Sequence, residues 1–112
     1  MNTSITSSRN RANNFRRWAV GQINEAGRRY TEGSVRTYIA HLRNFEKRLV
    51  PHALEGTRIP SDLFELSNRL ELRTAVSEIR ILPGFGEFIA ENHGSFEAAI
   101  ALYGRFLALI DR

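Results

Sequence analysis

Apolar side chains recur at helical spacing in separate segments of this chain, and that periodicity constrains its fold more than any other feature. The clearest segment follows Ser34, a residue type that often caps a helix, and it ends before Pro51. Its apolar positions are Val35, Tyr38, Ile39, Leu42, Phe45 and Leu49. A second segment, capped by Ser95, carries the stripe Phe96, Ala99, Ile100, Tyr103, Phe106, Leu107 and Ile110. Each stripe predicts an α-helix that buries one face.

Three weaker patterns predict three more helices. The first begins near Asn14 and stops at Gly27; its apolar positions are Phe15, Trp18, Ala19, Ile23 and Ala26. Another is capped by Ser67 and runs to about Arg80; it would bury Leu70, Leu72 or the stem of Arg73, Ala75, Val76 and Ile79. The last is short and runs from Phe85 to Asn92, after Pro83.

The remaining segments are connections. Residues 51–66 contain two prolines and a glycine and predict a connector, in which 63–66 is either a short extended piece or a turn of helix. Residues 1–13 have almost no apolar content and predict a flexible basic arm. No segment of useful length alternates as a strand does. The sequence therefore predicts an all-α fold, a compact bundle of about five helices spanning residues 14–112 as one domain.

Positive charge is concentrated in the first half of the chain. Residues 1–50 hold 10 Lys and Arg against 3 Asp and Glu, a net charge of +7, whereas residues 51–112 hold 6 against 9, a net charge of −3. All the basic residues except Lys47 are arginines, whose planar fork suits bidentate contact with phosphate. This asymmetry favours an anionic partner.

The basic residues also follow a spatial pattern. On the predicted second helix, Arg36, Arg43 and Lys47 fall within about 40° of one another and opposite the apolar stripe, so they form a cationic ridge. The other candidates for a DNA backbone interface are Arg16 and Arg17 on the first helix, Arg28 and Arg29 in the following loop, and Arg9 and Arg11 on the arm. The alternative is a solvated helix face that only keeps the chain soluble.

The segment 81–90 resembles the hairpin of helix-hairpin-helix DNA-binding motifs. The resemblance implies that backbone amides around Gly84 and Gly86 hold a DNA phosphate. The second helix is shorter than is usual in that family, and Glu87 suits phosphate poorly. In the alternative interpretation, Pro83 and Gly84 simply separate two helices.

Catalytic and metal-binding motifs are missing from the sequence. His41, His52 and His93 stand far apart without a carboxylate at ligand spacing, and Glu87 and Glu91 have a spacing common on solvated helices. We therefore expect no enzyme, metal, cofactor or small-molecule substrate. No apolar run is long enough for a membrane span, and the lack of cysteine suits a reducing cytoplasm. His93 is expected in a turn where Gly94 takes a positive φ.

Two longer stretches resemble known families. Residues 30–46, with the pattern Ser34-Val35-x-x-Tyr38-x-x-x-Leu42-x-x-Phe45, are similar to a helix in the SAM-like N-terminal core-binding domains of tyrosine recombinases and integrases. Residues 92–107 resemble the closing helix of helical domains that precede nuclease domains in bacterial restriction-type proteins. The resemblance implies an accessory domain in which Arg36, Arg43 and Lys47 meet the DNA backbone. The core it implies comprises Tyr38, Leu42, Phe45, Tyr103 and Phe106.

The recombinase or nuclease half is missing from this sequence, so the chain is either a fragment of a longer protein or a stand-alone binder. A different hypothesis is a protein-interaction or oligomerisation domain of a bacterial or phage defence protein. In that case the basic half of one copy docks on an acidic surface. The sequence offers no basis for specific base readout, because no suitable residue triplet lies on an identifiable recognition helix.

Overall fold

The computed structural model describes residues 3–48, 54–91 and 94–110. Within these ranges the chain forms five α-helices, two short 3-10 helices and one isolated β-bridge. The helices are α1 (Thr3–Ala19), α2 (Glu32–Asn44), α3 (Arg69–Ile79), α4 (Phe85–Glu91) and α5 (Ser95–Ile110), and the 3-10 helices are Phe45–Arg48 and Leu63–Glu65. The predicted all-α bundle of about five helices is confirmed.

Helix α5 is the centre of the bundle, since it packs against each of the other four helices. Its predicted stripe is buried except for Ile110, which is 53% exposed near the end of the helix. Gly94, immediately before α5, has a φ of 81°, as predicted. Ser95 is the first residue of the helix rather than its cap, and Asn92 and His93 lie outside the described residues.

Two groups of aromatic rings fill the core. In the first, Phe15 of α1 has its ring centroid 5.6 Å from that of Phe64, 5.7 Å from Tyr103 and 5.7 Å from Phe106. In the second, the rings of Phe45, Phe85 and Phe88 surround Phe96. The first group joins α1, the 3-10 helix Leu63–Glu65 and α5, so it fixes α1 on the bundle.

The predicted start of the first helix at Asn14 is wrong, because α1 begins at Thr3 and residues 3–13 are helical rather than an arm. Two observations show that the third turn of α1 is part of the bundle. Ala12 is buried, and the guanidinium of Arg11 donates a hydrogen bond to the carbonyl oxygen of Phe64. Phe64 lies 53 residues from Arg11 in the sequence, so the composition of residues 1–13 does not reveal this contact.

The predicted end of that helix at Gly27 is also wrong, because α1 ends at Ala19. Gly21 has a φ of 92°, which favours glycine, and its amide donates to the carbonyl oxygen of Tyr30 at 3.1 Å. The chain then forms a hairpin-like turn closed by the Ile23–Arg29 bridge. Phe15 and Ala19 are therefore buried as predicted, whereas Ile23 and Ala26 lie exposed in the turn.

Helix α2 begins earlier than predicted. Thr31 is its cap, and the Thr31 hydroxyl accepts a hydrogen bond from the amide of Ser34 at 3.1 Å. Val35, Leu42 and Phe45 are buried, and Tyr38 and Ile39 are packed at the edge of the core. After Asn44 the chain tightens into the 3-10 helix, and Leu49 and Pro51 lie outside the described residues.

Asn68, not Ser67, caps α3. The Asn68 side chain accepts from the amide of Glu71 at 2.9 Å, and the Glu71 carboxylate accepts from the amide of Ser67 at 2.8 Å. The buried face consists of Leu72, Ala75, Val76 and Ile79. The predicted burial of Leu70 is wrong, since this side chain is 68% exposed and lies about 200° around the helix from Leu72.

Candidate nucleic-acid interface

Exposed arginines project from the two helices at the start of the fold. Arg9 and Arg16 lie on one side of α1 because seven residues make two helical turns. Arg17 is next to Arg16, and Arg36 and Arg43 have the same seven-residue spacing on α2. We call these five exposed residues, Arg9, Arg16, Arg17, Arg36 and Arg43, the basic face.

A carboxylate joins the α1 and α2 parts of the basic face. Glu32, the first residue of α2, forms an ion pair with Arg16. The hydrogen bond and charge of Arg16 hold the pKa of Glu32 below its usual range, and the positive charge of Arg36 lowers it further. Glu32 therefore pairs with Arg16 of α1 and lies one helical turn before Arg36 of α2, and we call this group the Arg16–Glu32–Arg36 junction.

The predicted three-residue ridge on one continuous helix does not form. Helix α2 ends at Asn44, so only Arg36 and Arg43 keep α-helical spacing, and they are about 10 Å apart along the axis. Lys47 is exposed but belongs to the 3-10 helix Phe45–Arg48, where the rotation per residue is larger. Lys47 therefore lies just after the end of α2 and is not counted in the basic face.

Arg28 and Arg29 are exposed in the turn between α1 and α2. The side chain of Asn24 accepts from the amide of Arg28 at 3.0 Å, which orders the turn. Tyr30 connects the turn to α2 through an edge-on contact with Tyr38, with ring centroids 5.8 Å apart. These two arginines are consequently held beside α2, although no direct contact with Arg36 is observed among the described residues.

Arg11 differs from the other sequence-predicted contacts because its side chain points inward. It donates to the carbonyl oxygen of Phe64 and lies against the Tyr103 hydroxyl, which donates to the carbonyl oxygen of Leu66. Burial raises the pKa of the Tyr103 phenol far above its usual range, and the charge of Arg11 opposes this only in part. Arg11 therefore holds α1 on the bundle and is not on the basic face.

Gly84 and Gly86 belong to the segment 81–90, which resembles a helix-hairpin-helix motif, and they lie far from the basic face in sequence. Gly84 has a φ of 81°, and Gly86 is exposed in the first turn of α4. The intervening amide of Phe85 donates to the carbonyl oxygen of Leu82 at 3.2 Å, so it is already occupied. Helix α4 is only seven residues long. The structure provides no free Phe85 amide for the phosphate contact that the hairpin resemblance implies.

Two features of this region were missed at the level of sequence. Glu32 partly neutralises the arginines beside it, and its local signals are its place in the first turn of a helix and its four-residue spacing from Arg36. Arg105 of α5 lies over the Trp18 ring at 5.6 Å from its centroid and donates to the carbonyl oxygen of Ile23 at 3.2 Å. Arg105 thereby fastens the turn that carries Arg28 and Arg29 to the central helix.

Among residues 3–48, 54–91 and 94–110, no three His, Asp or Glu side chains are grouped so that they could hold a metal ion. His41 is buried in α2, and His52 and His93 lie outside the described ranges. None of the helices described combines the length and the hydrophobicity needed to cross a membrane.

Comparison of the chain with protein-family models, with curated proteins and with solved structures finds no match.

Proposed function

We propose that this chain is a DNA-binding helical module that contacts the phosphate backbone through its basic face. The observation that carries the proposal is the Arg16–Glu32–Arg36 junction, which brings the cations of α1 and α2 together on the exposed side of the bundle. Cations that are separate in the sequence therefore contribute to one positive surface. A surface of this kind can follow a polyanion, whereas scattered single charges cannot.

The geometry of α2 suits contact with a duplex. With α2 parallel to the DNA axis, the distance of about 10 Å between Arg36 and Arg43 would span about three base-pair steps at about 3.4 Å each. Arginine offers a planar pair of donors to phosphate oxygens, and the exposed positions leave these donors accessible. Such contacts fix the position of the protein on DNA without reading its sequence.

The accessory role and the cytoplasmic location that the sequence predicts are part of the same proposal. The resemblance of residues 30–46 to recombinase core-binding domains supports a module that holds DNA for a separate catalytic domain. Within the proposal, the backbone contacts come from the basic face, with Arg28, Arg29 and Lys47 beside it. Arg11 instead holds α1 on the bundle.

Replacing Arg36 and Arg43 together with alanine is expected to weaken binding to a short duplex about a hundredfold at about 50 mM salt. Each lost phosphate contact removes a counterion-release contribution worth about tenfold at that salt concentration. Fluorescence anisotropy of a labelled duplex measures the affinity. Two duplexes of unrelated sequence should give the same result, because the proposed contacts do not involve base edges.

The matched control removes the same number of charges from another surface. Arg58 and Arg73 are exposed and lie outside the basic face, so Arg58→Ala with Arg73→Ala should leave the affinity within about twofold to threefold of the parent. Equal losses in the two double variants, or no binding by the parent at low salt, would contradict the proposal.

A further inference from the structure

Residues of the second half of the sequence form an acidic groove between the segment 58–66 and α3. Glu65, Glu71 and Glu78 line it together with one cation, Arg58. Leu70 also lines the groove and is 68% exposed, although it is one of the largest apolar side chains of α3. The groove therefore combines an accessible apolar residue with a surplus of negative charge, which is the chemistry of a docking site for a basic, partly apolar surface.

A second groove with the complementary chemistry lies where α1 meets α2. Its lining consists of Asn13, Arg16, Arg17, Val20 and Glu32. Glu32 is paired with Arg16, whereas Arg17 has no ion-pair partner among the described residues. Val20 is 41% exposed beside these cations. This basic groove thus offers an apolar side chain within a positively charged surface.

The two grooves share no lining residue, so they are separate surfaces of one molecule. We propose that the acidic groove of one copy binds the basic groove of a second copy, with Leu70 of the first packing near Val20 of the second. This inference goes beyond the proposed DNA binding and does not rest on it. The choice of a second copy as the partner depends on the complementary charges of the two grooves, and neither groove alone would indicate it.

The proposed contact is heterologous, since two different surfaces meet. Each copy keeps one groove free after the first contact, so the assembly grows head to tail unless it closes into a ring. Opposite charges attract the copies over about 30 Å at an ionic strength of about 0.01 M and over only about 3 Å at about 1 M. The association is therefore expected to be concentration-dependent and to be reversed by salt.

Sedimentation equilibrium of the whole chain without DNA tests the proposal. The parent should increase in mean mass between micromolar and millimolar concentration at about 0.01 M ionic strength, and return to monomer at about 1 M. Reversing the acidic groove with Glu65→Arg and Glu78→Arg, or the basic groove with Asn13→Glu and Arg17→Glu, should abolish the increase. These substitutions leave Glu71 in its contact with Ser67 and Arg16 in its contact with Glu32.

The decisive experiment mixes the two reversed variants. Each variant alone presents two grooves of like charge, but the reversed groove of one complements the reversed groove of the other. An equimolar mixture should therefore regain the mass increase of the parent. Glu25→Arg with Glu87→Arg is the matched control for the reversed acidic groove, because it changes the net charge by the same amount at exposed positions outside both grooves and should not prevent assembly.

Leu70→Gln tests the apolar part independently of charge reversal. This side chain is exposed, so the variant should fold as the parent does, which circular dichroism checks, while its dissociation constant rises at least about tenfold. A parent that stays monomeric at millimolar concentration and low salt overturns the proposal, even if the acidic groove captures a synthetic arginine-rich peptide. So does assembly of the reversed variants alone, failure of folded variants to assemble on mixing, or an unchanged dissociation constant for Leu70→Gln.

Discussion

Replacing Phe15 with alanine is expected to lower the free energy of unfolding by about 3–5 kcal/mol. The Phe15 ring is fully buried and contacts the ring of Phe64 in the 3-10 helix Leu63–Glu65 and the rings of Tyr103 and Phe106 in α5. Its loss would leave a cavity where α1 joins the bundle. Because a small domain is stable by only about 5–15 kcal/mol, this substitution removes a large share of the total.

Urea denaturation followed by circular dichroism measures the loss. Ile81→Ala is the control, since Ile81 is 83% exposed and its truncation should change the free energy of unfolding by no more than about 0.5 kcal/mol. If Phe15→Ala cost as little as Ile81→Ala, α1 would not be held on the bundle by the aromatic group, and the structural account of α1 would be wrong.

Stability should fall at alkaline pH because of Tyr103. Its pKa is raised in the folded state, chiefly by burial, whereas an unfolded tyrosine titrates near about 10. The folded state therefore holds the phenol proton more tightly than the unfolded state does. The stabilising contribution is complete below about pH 10 and decreases above it, by up to about 1.4 kcal/mol for each pH unit until the folded pKa is passed.

Tyr103→Phe isolates this effect. At about pH 8 the variant should be less stable by about 1–3 kcal/mol, because the carbonyl oxygen of Leu66 loses its donor. Above about pH 10 the parent should lose stability more steeply than the variant, so the difference between them narrows. Urea denaturation at a series of pH values measures both curves, and parallel curves above that pH would rule out Tyr103 as the titrating group.

Where helices pack mainly through an apolar stripe, the sequence was sufficient to predict them. The stripe of α5 is buried almost as expected because this helix contacts all four others, so its periodicity directly records its packing. The boundaries of α1 were not predictable in this way. Its third turn is held by the contact between Arg11 and Phe64, which are 53 residues apart, and the helix ends two residues before Gly21 rather than at Gly27.

In the candidate site, too, some features follow from the sequence pattern and others depend on contacts between distant segments. Exposure of the arginines at positions 36 and 43 follows from their place opposite the apolar stripe of α2. Helical spacing places Arg36 one turn after Glu32, but it could not reveal the contact between Glu32 and Arg16, because that contact depends on how α1 and α2 pack. Nor could composition distinguish Arg11, which holds the fold, from Arg9, which is exposed. Charge therefore identified the five arginines of the basic face but could not show that Arg11 lies apart from them.

Backbone binding by the basic face should be visible in the salt dependence of duplex binding. The logarithm of the binding constant should fall linearly with the logarithm of salt concentration, with a slope of about −0.9 for each phosphate contacted. For Arg36→Ala with Arg43→Ala the slope should become shallower by about 2, since two contacts are lost. A parent slope near zero, or the same slope in the parent and the double variant, would contradict backbone binding by the basic face.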